Sequence, residues 1–295
     1  MTRPSTVFGV RPVIGEGVSA QPPRECAGRG GITVHRVDGA STVTSAWATS
    51  PLKLLVPKSR GPSVWACLSS FGGGMVAGDQ THLEMHLGTG ARCFVGTQSS
   101  TKIYRNPLAL PCGHRLNARL DAGSLLVLAP DPVQPFAGSR FVQRQCFDVA
   151  PGAELILLDW VTSGRSARGE RWQFDCYESR NEVWVNGERT FADALRLDPR
   201  DGPLDGSHRL GRFNCIAMIL ILGESLKRFA EAHLADIGSF TVRRRGTLQQ
   251  SISPVVGGCI LRLAGESVEE ATLEVRSRLR FLSDVLGEYP WARKF

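Results

Sequence analysis

Three segments decide the fold: HLGTGARCFVG (86–96), RLDAGSLLVLA (119–129) and DVAPGAELILL (148–158). Each reads as a strand, then a turn with glycine ahead of Ala or Ser, then a returning apolar strand. The turn glycines Gly90, Gly123 and Gly152 lie 33 and 29 residues apart. Unequal spacing argues against a strict solenoid but suits stacked β layers built from similar rungs. Strand–turn–strand units resemble one another in any β protein, so three unrelated units remain open at this point.

Outward from these segments the same grammar continues. Leu83, Met85 and Leu87 alternate with polar neighbours, as do Leu116, Ala118 and Leu120, and then Phe141, Phe147 and Val149. A period of two is the mark of half-buried strands. Asn186-Gly187, inside EVWVNGERTF, predicts a tight hairpin, because both positions tolerate positive φ. These features place a β-layered body over residues 31–210, preceded by a mobile Gly-, Pro- and Arg-rich tail over 1–30.

Beyond the loop at 198–206 the pattern changes. NCIAMILIL (214–222) reads as a buried strand, and Glu224–Ile237 as a helix with Leu226, Phe229, Ala230, His233, Leu234 and Ile237 on one face. GGCILRLAG (257–265) predicts another strand. A second helix opens at Ser267, with Glu270 in capping-box spacing, and is striped by Ala271, Val275, Leu279, Leu282 and Leu286. The expectation is a mainly β protein with a smaller α+β part over 211–295, continuous with the body.

Composition narrows the function classes. The 295 residues carry a formal charge of +7 and a pI near 9.2. Arg243, Arg244 and Arg245 form the one tight basic run, without interleaved aromatics, so nucleic acid is not expected. An acidic protein partner or a solvated strand accounts for the charge equally well. Eight cysteines stand apart with no CxxC pair, which removes zinc knuckles and thioredoxin motifs and suits a reducing compartment. No signal-peptide pattern opens the chain. The longest apolar run, Ile216–Leu222, is far shorter than a membrane span, so a soluble, cytoplasmic protein is expected.

Catalytic motifs fail on inspection. His82, Glu84 and His86 in THLEMH do not form HExxH on a helix. On a strand they share a face at steps of about 7 Å, too far apart for one metal shell. GGGMVAGD (72–79) lacks the Lys-Ser/Thr ending of a P-loop, and SGRSARG is not a nucleophile elbow. A β-layered polysaccharide hydrolase or lyase, with Asp159, Glu170 or Asp193 as acid and base, is the alternative enzyme reading.

Four segments together resemble the urease accessory protein D family, called H in some bacteria. They are SFGGGMVAGDQTHLEMHLGTGA (70–91), VGTQSSTKIYR (95–105), LVLAPDPVQPFAGSRF (126–141) and LLDWVTSGRSARGERWQFDCYESRNEVWVNGE (157–188), in matching order. Ala77, where glycine is common, departs slightly, and Val242–Ser253 and the N-terminal tail carry no likeness. The resemblance implies a chaperone and not a catalyst. It further implies a stacked, helical-like array of β layers with two helices, and partners in apo-urease, a helical F-type accessory protein and a G-type GTPase. It also implies transient passage of Ni²⁺ through an internal channel, with no tightly bound cofactor and no membrane partner.

A conduit must hold its ion weakly at several places, which isolated carboxylates do and a His/Cys cage does not. Within the matching motifs the spare carboxylates are Asp79, Asp159 and Glu170, with Asp193 a looser candidate. Asp79 equally suits a turn cap, and Glu170 an ion pair with Arg165 or Arg168. Gly72, Gly73 and Gly78 are turn positions, and Lys102, Tyr104, Arg105 and Arg165 belong to a strand edge or a partner surface.

Overall fold

The computed structural model describes residues 27–58, 61–239 and 245–293. The expected tail over 1–26, with Arg243 and Arg244, lies outside these residues, while 27–30 already belong to the first strand.

An antiparallel pair comes first, β1 (Ala27–Val37) and β2 (Ala40–Ala48), followed by the pair β3 (Leu52–Leu55) and β4 (Val64–Ser70). After β5 (Gly74–Met75) the chain coils. One coil is β6 (Gln80–Leu87), β7 (Arg92–Thr97) and β8 (Thr101–Ile103). The next is β9 (Cys112–Leu120), β10 (Leu125–Leu128) and β11 (Val133–Pro135). A third holds β12 (Arg140–Val149) and β13 (Glu154–Thr162), and leads to the hairpin β14 (Cys176–Val185) and β15 (Glu188–Leu197). Then come β16 (Cys215–Leu222), α1 (Lys227–Gly238), the hairpin β17 (Leu248–Val255) and β18 (Gly258–Gly265), α2 (Val268–Arg278) and α3 (Leu282–Leu286).

Two long sheets result. The front sheet runs β15-β14-β12-β9-β6-β1-β2, and the back sheet β17-β18-β16-β13-β10-β7-β4-β3. Their middles are parallel and in register, with Leu87, Leu120, Val149 and Val185 side by side. Short β5, β8 and β11 lie parallel along a third side. The three glycine turns stack as well. Asp121 N donates to Leu87 O at 2.9 Å, Gly90 N to Ala122 O at 3.1 Å, Gly123 N to Gly152 O at 3.2 Å and Ala150 N to Leu120 O at 2.9 Å. The repeat is therefore a set of rungs, and the second strand of each unit crosses to the opposite sheet instead of pairing with the first. The unequal spacing arises mainly at the third corner, where the loop 104–111 is wider than 136–139.

Burial explains the two kinds of strand in the sequence. Front-sheet strands alternate because one face is core and the other is open. Back-sheet β10 is buried throughout and β16 nearly so, because α1, α2 and α3 cover the outer face. Ser267 caps α2, its Oγ accepting from Glu270 N at 3.2 Å, as the capping box predicts. The single second helix expected from sequence is broken at Leu279 (φ −101°, ψ 15°), yet Leu279, Leu282 and Leu286 keep their buried stripe across the break. Strand β17 had no sequence counterpart.

Candidate functional site

The space between the sheets is not apolar throughout. One cluster, with Leu87, Leu120, Phe147 and Leu155, fills the end beside the glycine turns, and another, with Met75, Ile103, Phe141 and Tyr177, fills the far end. Between them runs a band of polar side chains. Register places Thr81, His114, Gln143 and Ser179 in one inward row of the front sheet, with Gln145 and Asn181 in the next. Facing them, the inward residues of β13 are Leu155, Leu157, Asp159 and Val161, so Asp159 is the polar one.

Asp159 gathers the band. Its carboxylate accepts from Ser179 Oγ at 2.5 Å, Asn181 Nδ2 at 2.7 Å and Gln143 Nε2 at 3.1 Å. Burial pushes this carboxyl above its ordinary range and the nearby Asp193 charge adds to the push, while the three donors oppose it. Gln145 Oε1 and Asn181 Oδ1 are buried without a hydrogen-bond partner. His114 Nδ1 lies 2.8 Å from Thr81 Oγ1, and burial with the neighbouring His82 lowers its pKa to about 4.

Two spaces meet at Asp159. A pocket of about 90 Å³, open to the surface beside Gly73, Gln98 and Ser99, is lined on its inner side by Thr81, His114, Gln143, Gln145 and Asp159. An open groove of about 600 Å³ is lined by Asp159, Tyr177, Asp193, Gln250 and Arg262, where the β15 end of the front sheet faces β17 and β18. Asp193 Oδ1 accepts from Arg262 Nη2 at 2.7 Å across that gap.

Of the four carboxylates expected to line a channel, the structure brings together Asp159 and Asp193. Asp79 closes a turn, accepting from Val76 N at 2.9 Å, and lines neither space. Glu170 is clipped to Arg165, whose Nε donates to it at 2.9 Å and whose guanidinium lies over the Phe136 ring. Ala137 N also donates to Glu170, at 3.2 Å, and the Arg165 pairing holds this carboxyl below its usual range. Asp159, Glu170 and Asp193 therefore do not share one cleft.

Gly72, Gly73 and Gly78 have φ of +76°, +70° and +83°, as turn positions require. Tyr104 Oη donates to Gly72 O at 3.1 Å, which ties the glycine turn to the end of β8, while Lys102 and Arg105 are exposed. His82, Glu84 and His86 lie on the open side of β6, with His82 paired to Glu84 and His86 to Asp121. Among the described residues no three His, Cys, Asp or Glu side chains converge to hold a metal ion.

The family model for the UreD urease accessory protein matches residues 27–293. This chain belongs to that family. Among its relatives, Urease accessory protein UreD of Sorangium cellulosum is 46% identical over 270 residues, covering 91% of this chain and 85% of the relative. Urease accessory protein UreD of an Anaeromyxobacter species is 42% identical over 267 residues, covering 90% and 89%. Urease accessory protein D of Arabidopsis thaliana is 32% identical over 293 residues, covering 89% and 99%. The UreD family consists of urease accessory proteins and not enzymes, which sets aside the hydrolase reading of Asp159 and Asp193.

Most of this UreD band escaped the sequence reading. Its signal was present in β12, where the inward alternation Phe141, Phe147, Val149 skips two positions, both filled by glutamine. Polar residues at inward positions of a strand mark an interior where buried groups need hydrogen-bond partners, from facing side chains or from water.

Proposed function

We propose that this UreD-family chain is a maturation scaffold that binds apo-urease together with F-type and G-type accessory proteins and passes Ni²⁺ along its polar band toward the enzyme. The observation that carries the reading is Asp159, which lines both the pocket and the open groove. Amide oxygens, hydroxyls and two separated carboxylates bind a divalent ion through few, weak contacts, so the ion is cargo and leaves again. The unpartnered oxygens of Gln145 and Asn181 suit a path that water fills between passages.

Asp193→Asn and Asp159→Asn test this. Asp193→Asn keeps an acceptor for Arg262 while removing the charge from the groove. Asp159→Asn keeps the shape at the junction. Both variants should assemble with the urease accessory proteins while the nickel content of urease falls several-fold. Normal nickel content in an intact complex would refute the passage, and a complex that fails to form would show that the carboxylates serve folding or docking instead.

A further inference from the structure

The open face of the front sheet carries a feature that the band does not use. Register sets Arg29 of β1 beside His82 of β6, His82 beside Arg115 of β9, Arg115 beside Arg144 of β12, and Arg144 beside Arg180 of β14. The alternation of burial turns all five outward, and the four arginines are exposed. With strands about 4.8 Å apart, these residues form one row roughly 19 Å long across five strands. Like charges directly opposite one another in a sheet repel, so folding alone gives no reason for arginines on three successive rungs.

Neutralisation along the row is uneven. His82 meets Glu84 at 2.7 Å, and Arg180 Nε donates to Glu182 at 2.8 Å. Among the described residues Arg29, Arg115 and Arg144 form no salt bridge. The outward neighbours of Arg115 and Arg144 on their own strands are Gly113, Asn117, Val142 and Cys146, all uncharged. Shallow depressions of about 290 and 220 Å³ flank this pair, and Arg115 and Arg144 line both. The diagonal neighbours Glu84 and Glu182 are engaged by His82, Arg180 and Arg189, so the centre of the row is positive, without a salt bridge of its own and open to a partner.

We propose that this row docks an acidic α-helix of a protein partner. A helix rises about 5.4 Å per turn, so one carboxylate per turn comes close to matching the rung spacing, and about 13 residues cover the row. Charge complementarity of this kind sets orientation and speeds encounter. Single-stranded nucleic acid fits the face less well, because such sites need aromatic platforms for the bases. The row and its flanking depressions hold no Phe, Tyr or Trp, His82 is paired with Glu84, and Trp184, further along β14, has the Arg189 guanidinium over its ring. The arginine side chains lie on the opposite face of the sheet from the polar band, although one depression also reaches Thr81 and His114, and their docking role stands whether or not nickel passes inside.

The test uses the full chain and a fluorescently labelled 14-residue helical peptide with Glu at every fourth position, read by anisotropy. The wild type should bind it in a salt-sensitive manner, and R115E/R144E should bind at least tenfold more weakly. A matching peptide with Lys at those positions should prefer R115E/R144E. If that variant fails to fold, R115Q/R144Q takes its place, with a loss of about threefold or more expected. Equal binding by wild type and variant would overturn the proposal, as would tighter binding of a single-stranded oligonucleotide of equal charge. Relief of repulsion should leave the melting temperature of R115Q/R144Q unchanged or raised. A clear fall would assign the row to the fold and overturn the docking role.

Discussion

His114 and Asp79 show what single polar side chains do in this wall of strands. His114 titrates near 4 in the fold, against 6.5 for an ordinary histidine, because burial and His82 keep it neutral. The unfolded chain therefore binds more protons between pH 6.5 and 4, and stability falls as pH drops through that window. His114→Gln removes this titration. Its unfolding free energy should lose about 3 kcal/mol less than the wild type between pH 6.5 and 4, measured by urea melts at both ends. Parallel curves would mean that the imidazole is solvated. Asp79→Ala removes the acceptor for Val76 N and should cost roughly 1 kcal/mol of stability, leaving nickel content in urease unchanged. At this scale the sequence told residue types but not directions. Asp79 and Asp159 both stand beside family motifs, yet Asp79 falls in the turn ahead of β6 and closes it, while the parity of β13 turns Asp159 into the core.

The rung is the element that organises the chain, and its glycines are not equivalent. Gly152 has φ of +77° with open space around it, so Gly152→Ala meets only left-handed backbone strain of about 1 kcal/mol. Gly258 is different, because a Cβ there would lie 1.8 Å from Ile221 O, a backbone atom of the adjacent strand β16. Gly258→Ala should force β16 and β18 apart and cost more than about 4 kcal/mol, seen as lost soluble protein or a collapsed melting temperature. A mild effect there would mean that the hairpin shifts freely. Glycine turns ahead of apolar runs made the rungs legible, since period-two alternation and turn chemistry are local signals. Strand β17, LQQSISPV, was not legible. Its polar residues form no alternating stripe, and it pairs because β18 offers an edge beside it.

Across the whole molecule, one layer of helices seals the back sheet, while the front sheet keeps an open, charged face and an interior that changes from apolar to polar and back. The stacked array was readable from the three repeated segments and the family likeness. The polar band was not, because it is assembled from one or two residues of each of five strands that only the three-dimensional register aligns. Its chemistry fixes what the purified chain should do with metal. Asp159 already satisfies three donors and Asp193 already answers Arg262, so neither carboxylate is held vacant for an ion. The other donors are neutral amides, hydroxyls and the single imidazole of His114, too few to cage an ion, so they bind divalent nickel weakly and impose no geometry that favours it over zinc. Isothermal calorimetry on the isolated chain should give dissociation constants for Ni²⁺ and Zn²⁺ no tighter than about micromolar, within roughly tenfold of each other. Asp193→Asn should weaken both together. A nanomolar, nickel-selective site would contradict transit through the band, because an ion held that firmly does not move on, and it would turn attention to His82 and His86 on the open face.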